Sequence, residues 1–236
     1  MSRSEEATQL FEEIERTFSS TSLGNERWYF IPIAALSGAG VPEYAIQLYS
    51  HLVERPGYAT PEARQRLVRR IREALVKCVP IIGVCRPLEV IFGIAKIEKD
   101  EDKDYSFSRE HWQSGEQNHE RGVSWLSRIY QKNIDGIQDS LAAHKDFFWI
   151  STEITYGLYL SDHTILDDVE TELVVLSGIM IQNLNSESRW HLRGMRRIGI
   201  AQEDVELVHQ CIELVAKFAQ VKIDRVPRVA EVEHEV

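Results

Sequence analysis

The sequence has few cysteines and no long apolar run, and both shortages narrow the classes of protein to consider. Its three cysteines, Cys78, Cys85 and Cys211, show no Cys-x-x-Cys or Cys/His spacing of the zinc type, which argues against a disulfide framework or a structural metal site. No stretch approaches the ~20 apolar residues that span a bilayer, and the acidic N-terminus lacks the apolar core of a signal peptide. We therefore expect a cytoplasmic protein.

Basic residues are also scarce relative to acidic ones. The chain carries 27 Lys and Arg against 37 Asp and Glu, a formal net charge of −10, and this balance disfavours nucleic acid or an anionic membrane as a partner. Hydrophobic residues at 43% and charged residues at 27% are ordinary for a soluble globular protein. At 236 residues the chain suits one large domain or two small ones.

Strand patterns are absent, and helical patterns recur throughout. No sustained alternation of β-branched residues appears, whereas apolar residues repeat at helical spacing, as in Leu10, Ile14 and Phe18. The run Thr60-Pro61-Glu62 is a strong helix start, because the threonine suits the N-cap and the proline the first helical position. The fold class is therefore predicted to be all-α.

Composition divides the chain into two helical halves. Residues 1–98 form the N-terminal half, the polar residues 99–120 a linker or long surface loop, and residues 121–236 the C-terminal half. Glu73 and Glu172 lie 99 residues apart, each at the entry to an apolar helix, which suggests that the first half is a degenerate repeat of the second. Coincidence between two buried helices is the alternative.

The stretch 169–199 holds the candidate for chemistry. Glu172 lies on an apolar run, and His191 follows a polar break around Asn183–Glu187, so a helical hairpin would bring the two side chains together. A carboxylate beside an imidazole is a plausible acid/base pair. The alternative is that Glu172 is a helix-start acid and that His191 is a core or surface histidine.

Several short elements of the second half carry a resemblance to a known family. They are Glu120-Arg-Gly122, Arg128-Ile-Tyr130, Tyr156-Gly157, Leu166-Asp167, Glu172-Leu173-Val174 and His191-Leu-Arg-Gly-Met. In this order the C-terminal half resembles the carboxymuconolactone decarboxylase family, which shares the alkylhydroperoxidase-D-like all-α fold. The redox branch has two cysteines where this chain has Leu184 and Glu187, so the resemblance favours the branch without thiols.

The resemblance implies a decarboxylase, lyase or isomerase that needs no metal or other cofactor. Its substrate would be a small cyclic or conjugated organic acid or lactone. His191 would be the general acid/base, Glu172 would orient it, and Arg193 would pair with a carboxylate. The resemblance also implies a homo-oligomer, with a trimer favoured. Three aromatic residues are further candidates for lining the substrate pocket: Tyr156, Tyr159 and Trp149.

The sequence is also compatible with two other functions. One is a thiol-dependent peroxide reductase that uses Cys85, and the other is a non-catalytic oligomeric binding protein that retains the fold. Outside the candidate site, His209 is expected on a helix surface and the tail beyond Pro227 is expected to be frayed. A solvated helix face or subunit contacts are expected for Arg189, Arg196 and Arg197.

Overall fold

The computed structural model describes residues 2–236 and contains helices but no strand in that range. This confirms the predicted all-α class. None of the helices in those residues combines the length and hydrophobicity that crossing a membrane requires. The α-helices are α1 Arg3–Phe18, α2 Phe30–Ala39, α3 Pro42–Val53, α4 Pro61–Ile82, α5 Cys85–Ile97, α6 Glu116–Tyr130, α7 Ile134–Ser140, α8 Lys145–Trp149, α9 Asp168–Met180, α10 Asn185–Arg197, α11 Gln202–Ala219 and α12 Val229–Val232, with a π-helix at Ile150–Leu160.

Side-chain caps set several helix starts. Ser2 and Glu5 form a capping box at α1, and Asp167 and Glu170 form another at α9, so each box satisfies two backbone N–H groups that lack helical partners. Thr60 accepts a backbone hydrogen bond at the start of α4, as its sequence context predicts. The capping box at α9 is important for the site, because it fixes the start of the helix that carries Glu172.

The end of α4 lies later than the prolines suggest. Pro80 predicts a break, but the helix continues through it to Ile82. Gly83 then adopts a φ of +83°, a conformation that favours glycine, and α5 begins two residues later. The last turn of α4 therefore extends far enough for Ile81 and Ile82 to contact Gly178 of α9.

The core is built around α2 and α9. Both helices are apolar on nearly all sides and almost completely buried, as expected for helices that neighbours surround. The main hydrophobic cluster takes residues from α1 through α5 and from α9 through α12. It therefore joins the two outer segments, and the division at residues 99–120 stays a prediction. A second cluster lies between α6, the π-helix and α9.

The polar segment after α5 is tied to the body of the protein by ion pairs. Arg64 of α4 bonds Asp102 at 2.8 Å, and Arg69 bonds Asp104 at 2.7 Å. Asp102 and the carboxylate of Asp104 are nearly inaccessible to solvent. The arginine-rich first half of α4 thus holds the start of this segment in place.

The C-terminal segment is ordered, and the prediction of a frayed tail is wrong. Val229 and Val232 are fully buried, and the last residues bond to arginines of α10. The ion pairs are Arg189–Glu235 at 2.7 Å, Arg193–Glu235, and Arg196–Glu233 at 2.8 Å. Arg197 also donates to the backbone carbonyl of Glu235, at 2.9 Å. These arginines therefore attach the chain end instead of forming a solvated face.

His209 is buried, which contradicts the expectation of a surface position. Its side chain lies on the inward face of α11 and is 2% exposed. Burial, together with the charge of Arg228, lowers the pKa of His209 to about 4. The imidazole therefore remains neutral in the folded protein at neutral pH.

Two glycines allow α6 and the π-helix to approach closely. A Cβ atom on Gly122 would lie 2.3 Å from the carbonyl oxygen of Thr152 and 2.8 Å from the backbone nitrogen of Gly157. Both neighbours are backbone atoms, which cannot move aside as a flexible side chain can. This contact sets the distance between the helices that carry Tyr130 and Tyr156.

We expect Gly122→Ala to destabilise the protein by about 3 kcal/mol, because the added methyl group forces the two helices apart. Gly136→Ala is the matched control, since Gly136 lies in α7 with open space around its Cα. That control should be neutral or more stable by about 0.5–1 kcal/mol. Urea unfolding midpoints measure both effects, and equal midpoints for the two variants would contradict the close contact.

Candidate functional site

The site lies at the hairpin formed by α9 and α10. The two helices pack against each other, and residues 181–184 connect them, with Asn183 at a φ of +59°. Asparagine is one of the few residues other than glycine that adopt this left-handed conformation readily. The predicted hairpin is confirmed, and it places Glu172 opposite His191.

Glu172 and His191 form a buried hydrogen-bonded pair. The Nδ1 atom of His191 lies 2.9 Å from Oε2 of Glu172. Glu172 is fully buried and His191 is 3% exposed. A carboxylate accepts and cannot donate, so this bond assigns a proton to Nδ1. Removing His191 would leave the carboxylate unpaired in the interior, which costs about 3–5 kcal/mol in comparable buried pairs.

The surroundings of this pair leave polar atoms without partners. Among the described residues, Oε1 of Glu172 and the hydroxyl of the preceding Thr171 make no hydrogen bond. Native proteins contain few such buried groups, because each one loses its hydration without compensation.

Two tyrosines continue the hydrogen-bonded chain from His191. The Nε2 atom of His191 lies 3.4 Å from the hydroxyl of Tyr156, at the long end of hydrogen bonding, and that hydroxyl lies 3.1 Å from the hydroxyl of Tyr130. Tyr156 belongs to the π-helix. Helices of this type are rare in proteins, but those that occur are often found at functional sites. Glu172, His191, Tyr156 and Tyr130 together are called the relay below.

Each hydroxyl carries one hydrogen, so the relay has two ordered arrangements. In the structure Tyr156 donates to Tyr130. With neutral His191 both hydroxyls turn, so that Tyr130 donates to Tyr156 and Tyr156 donates to Nε2. With a second proton on His191, Nε2 donates to Tyr156, Tyr156 donates to Tyr130, and Tyr130 is free to donate outward. The relay can therefore pass one proton between the imidazole and Tyr130 without displacing heavy atoms.

The outer end of the relay opens into a cavity of about 410 Å³. Both Tyr130 and Tyr156 line it. Its remaining walls are mainly apolar side chains from α6, α7, α8 and α10, including Leu126, Ile137 and Trp190. An apolar cavity with a few converging polar groups is typical of a small-molecule site. A larger, more open depression of about 570 Å³ borders residues 107–121, and no relay residue lines it.

Burial keeps both cavity tyrosines protonated. It raises the pKa of Tyr130 to about 12, and the negative charges of Glu172 and Glu187 act in the same direction. It also raises the pKa of Tyr156 well above the usual value for a phenol. At neutral pH both tyrosines of the relay therefore keep their hydroxyl hydrogens.

The other predicted site residues lie outside this cavity. Arg193 is buried and pairs with Glu235, so its guanidinium is already occupied by the chain end. Trp149 is 57% exposed, and Tyr159 is half-buried against the second hydrophobic cluster. The structure thus brings together Glu172, His191 and Tyr156 from the predicted set. Roles in substrate binding for Arg193, Tyr159 and Trp149 stay predictions.

Sequence reasoning did not identify Tyr130, Glu187 and Trp190 as site residues. A usable signal was present, because Glu187, Trp190 and His191 are spaced three and four residues apart and therefore share one face of α10. Tyr130 follows Leu126 by four residues on α6 in the same way. Only the packing of α6 and α10 against the π-helix reveals that these faces border one cavity.

Two curated yeast proteins are similar in sequence to this chain. A protein named Peroxisomal protein 2 from Schizosaccharomyces pombe is 24% identical over 187 residues, which cover 75% of this chain and 79% of the relative. A protein of the same name from Saccharomyces cerevisiae is 27% identical over 103 residues, covering 43% of this chain and 36% of the relative. No protein-family model matches the chain, and no solved structure matches it significantly.

These findings contradict the resemblance to the carboxymuconolactone decarboxylase and alkylhydroperoxidase-D-like proteins. The short motifs that carried it are individually weak, and the relatives bear a different name. The decarboxylase, lyase or isomerase assignment was wrong for the same reason. The Cys85 peroxide reductase and the binding protein inferred from that fold are not supported either. The expected cytoplasmic location is contradicted as well, because both relatives are named as peroxisomal.

Proposed function

We propose that this chain binds a small, mainly apolar molecule in the cavity and exchanges a proton with it through the relay. The observation that carries the proposal is the chain of hydrogen bonds from Glu172 through His191 and Tyr156 to Tyr130, a residue that lines the cavity. His191 is the proton acceptor and donor, Glu172 holds its Nδ1 proton, and the tyrosines connect it to the ligand.

The dimensions and chemistry of the cavity support this proposal. A volume of about 410 Å³ falls within the range of small-molecule sites. Aliphatic side chains form much of the wall, so burying the body of an apolar ligand there contributes about 25 cal/mol for each Å² removed from water. The hydroxyl of Tyr130 supplies the polar contact that orients the ligand.

Cavity binding can be tested with the neutral fluorescent probe N-phenyl-1-naphthylamine. We expect the natural chain to bind it and Ile137→Trp to bind at least about tenfold more weakly, because the larger side chain fills the cavity and removes about 1.4 kcal/mol or more of binding free energy. Ile97→Trp is the matched control, since Ile97 lies half-exposed on α5 outside the cavity. Equal affinity of Ile137→Trp and the natural chain would overturn the proposal.

We also propose that the chain acts in peroxisomes, on the basis of the names of the two yeast relatives. The Schizosaccharomyces pombe relative matches 75% of this chain and the Saccharomyces cerevisiae relative 43%. Their names state a location and no activity, so the chemistry proposed above rests on the cavity and the relay alone.

A fluorescent fusion of the chain, expressed in yeast beside a peroxisomal marker, tests the location. The expected result is punctate fluorescence that coincides with the marker, for fusions at either end of the chain. Diffuse fluorescence from both fusions would contradict the proposed location. It would not bear on the proposed cavity chemistry, which the ligand-binding experiment tests.

Self-association, with a trimer favoured, stays a prediction. The helix α5 exposes Leu88, Phe92 and Ile97, of which Phe92 is 60% exposed. Exposed apolar side chains on one helix suit contact with another protein surface.

A further inference from the structure

The charge that faces the cavity is negative. Glu187 is the one charged residue in the cavity lining within the part of the chain that the structure describes. Its half-buried side chain makes no hydrogen bond or ion pair with residues 2–236. The carboxylate of Glu187 therefore lines the cavity without a cation paired to it.

Aromatic rings form much of the remaining wall. Tyr130, Tyr156, Phe147, Phe148 and Trp190 all line the cavity. The faces of aromatic rings carry a negative quadrupole and attract organic cations within about 6 Å of the ring centre. Aromatic walls with one carboxylate are the surroundings that an ammonium group favours.

The relay adds an acceptor at the same place. The Tyr130 oxygen accepts a hydrogen bond from the hydroxyl of Tyr156 and keeps a second lone pair with which it can accept from a ligand. An ammonium group has three N–H donors and no acceptor, so it can bond this lone pair and the carboxylate of Glu187 together. A carboxylate ligand would instead meet a like charge and be buried without a counter-ion.

Two cations near Tyr130 do not reverse this balance. Arg197 bonds the backbone carbonyls of Ile129 and Tyr130 and does not line the cavity. Arg193 acts on Tyr130 through its charge, but its guanidinium bonds Glu235 and does not line the cavity. Glu172 is bonded to His191. After these pairings, Glu187 carries the charge that a ligand in the cavity meets.

From these features we propose that the cavity selects primary organic amines, in their ammonium form, over neutral and carboxylate molecules of the same shape. Glu187 is the specificity-determining residue, and the aromatic walls hold the apolar body of the amine. This inference rests on the proposed function, because it names the ligand class of the same cavity.

Three probes with a phenyl ring and a chain of similar length separate the contributions: 4-phenylbutylamine, 4-phenylbutanol and 4-phenylbutyrate, titrated at pH 7 by isothermal calorimetry. We expect the amine to bind at least about tenfold more tightly than the alcohol, and the carboxylate to bind most weakly. In Glu187→Gln, the amine should fall to the affinity of the alcohol, while the affinity of the alcohol stays unchanged.

Glu203→Gln is the matched control. Glu203 lies in the first turn of α11 as Glu187 lies in the first turn of α10, and it does not line the cavity. It should keep the full preference for the amine.

Binding of the alcohol without a preference for the amine would overturn this inference and leave the proposed function standing. A preference that survives in Glu187→Gln would also overturn it, and failure of all three probes to bind would overturn both.

Discussion

The hydrogen bond between Glu172 and His191 is the constraint that the surrounding structure must satisfy. A carboxylate that is fully buried needs a partner at the right distance, because its hydration is lost on folding. The capping box at Asp167 fixes the start of α9, and the left-handed Asn183 turns the chain back into α10. Gly194 permits α10 to pack closely against α6, since a Cβ atom at this position would lie 2.7 Å from the side chain of Ile129 on α6. Local backbone features thus converge on one side-chain distance.

The chain end contributes to the same arrangement from a distance in sequence. Arginines of α10 bind the carboxylates of Glu233 and Glu235, and α12 buries its two valines beside them. Half-exposed pairs of this kind are individually weak, so their effect comes from their number and their common position on one helix. Because His191 lies on that helix, the final residues help to hold the imidazole in place. The C-terminal segment is therefore part of the support of the site.

Periodicity and capping signals were enough to predict the all-α class, the start of α4 and the hairpin that joins Glu172 to His191. These features depend on residues close together in sequence. Burial of His209 had a local signal, because it lies four residues after Val205 and three before Ile212 on the buried face of α11. The anchored C-terminal segment and the cavity itself depend on contacts between distant residues, and no local pattern encodes them. Family assignment failed for a related reason: short matches such as Tyr156-Gly157 are compatible with many helical proteins. The pairing that survived, Glu172 with His191, rested on helix geometry as well as on the resemblance.

The central claim is that His191 connects a buried carboxylate to a hydroxyl at the cavity. The most direct test is the ¹⁵N NMR spectrum of the His191 imidazole, assigned with His191→Asn, in the natural chain and in Tyr156→Phe. The account predicts a proton on Nδ1, held by Glu172, and an Nε2 resonance that shifts when the Tyr156 hydroxyl is removed. A neutral imidazole with its proton on Nε2, or an Nε2 resonance that is the same in both proteins, would contradict it.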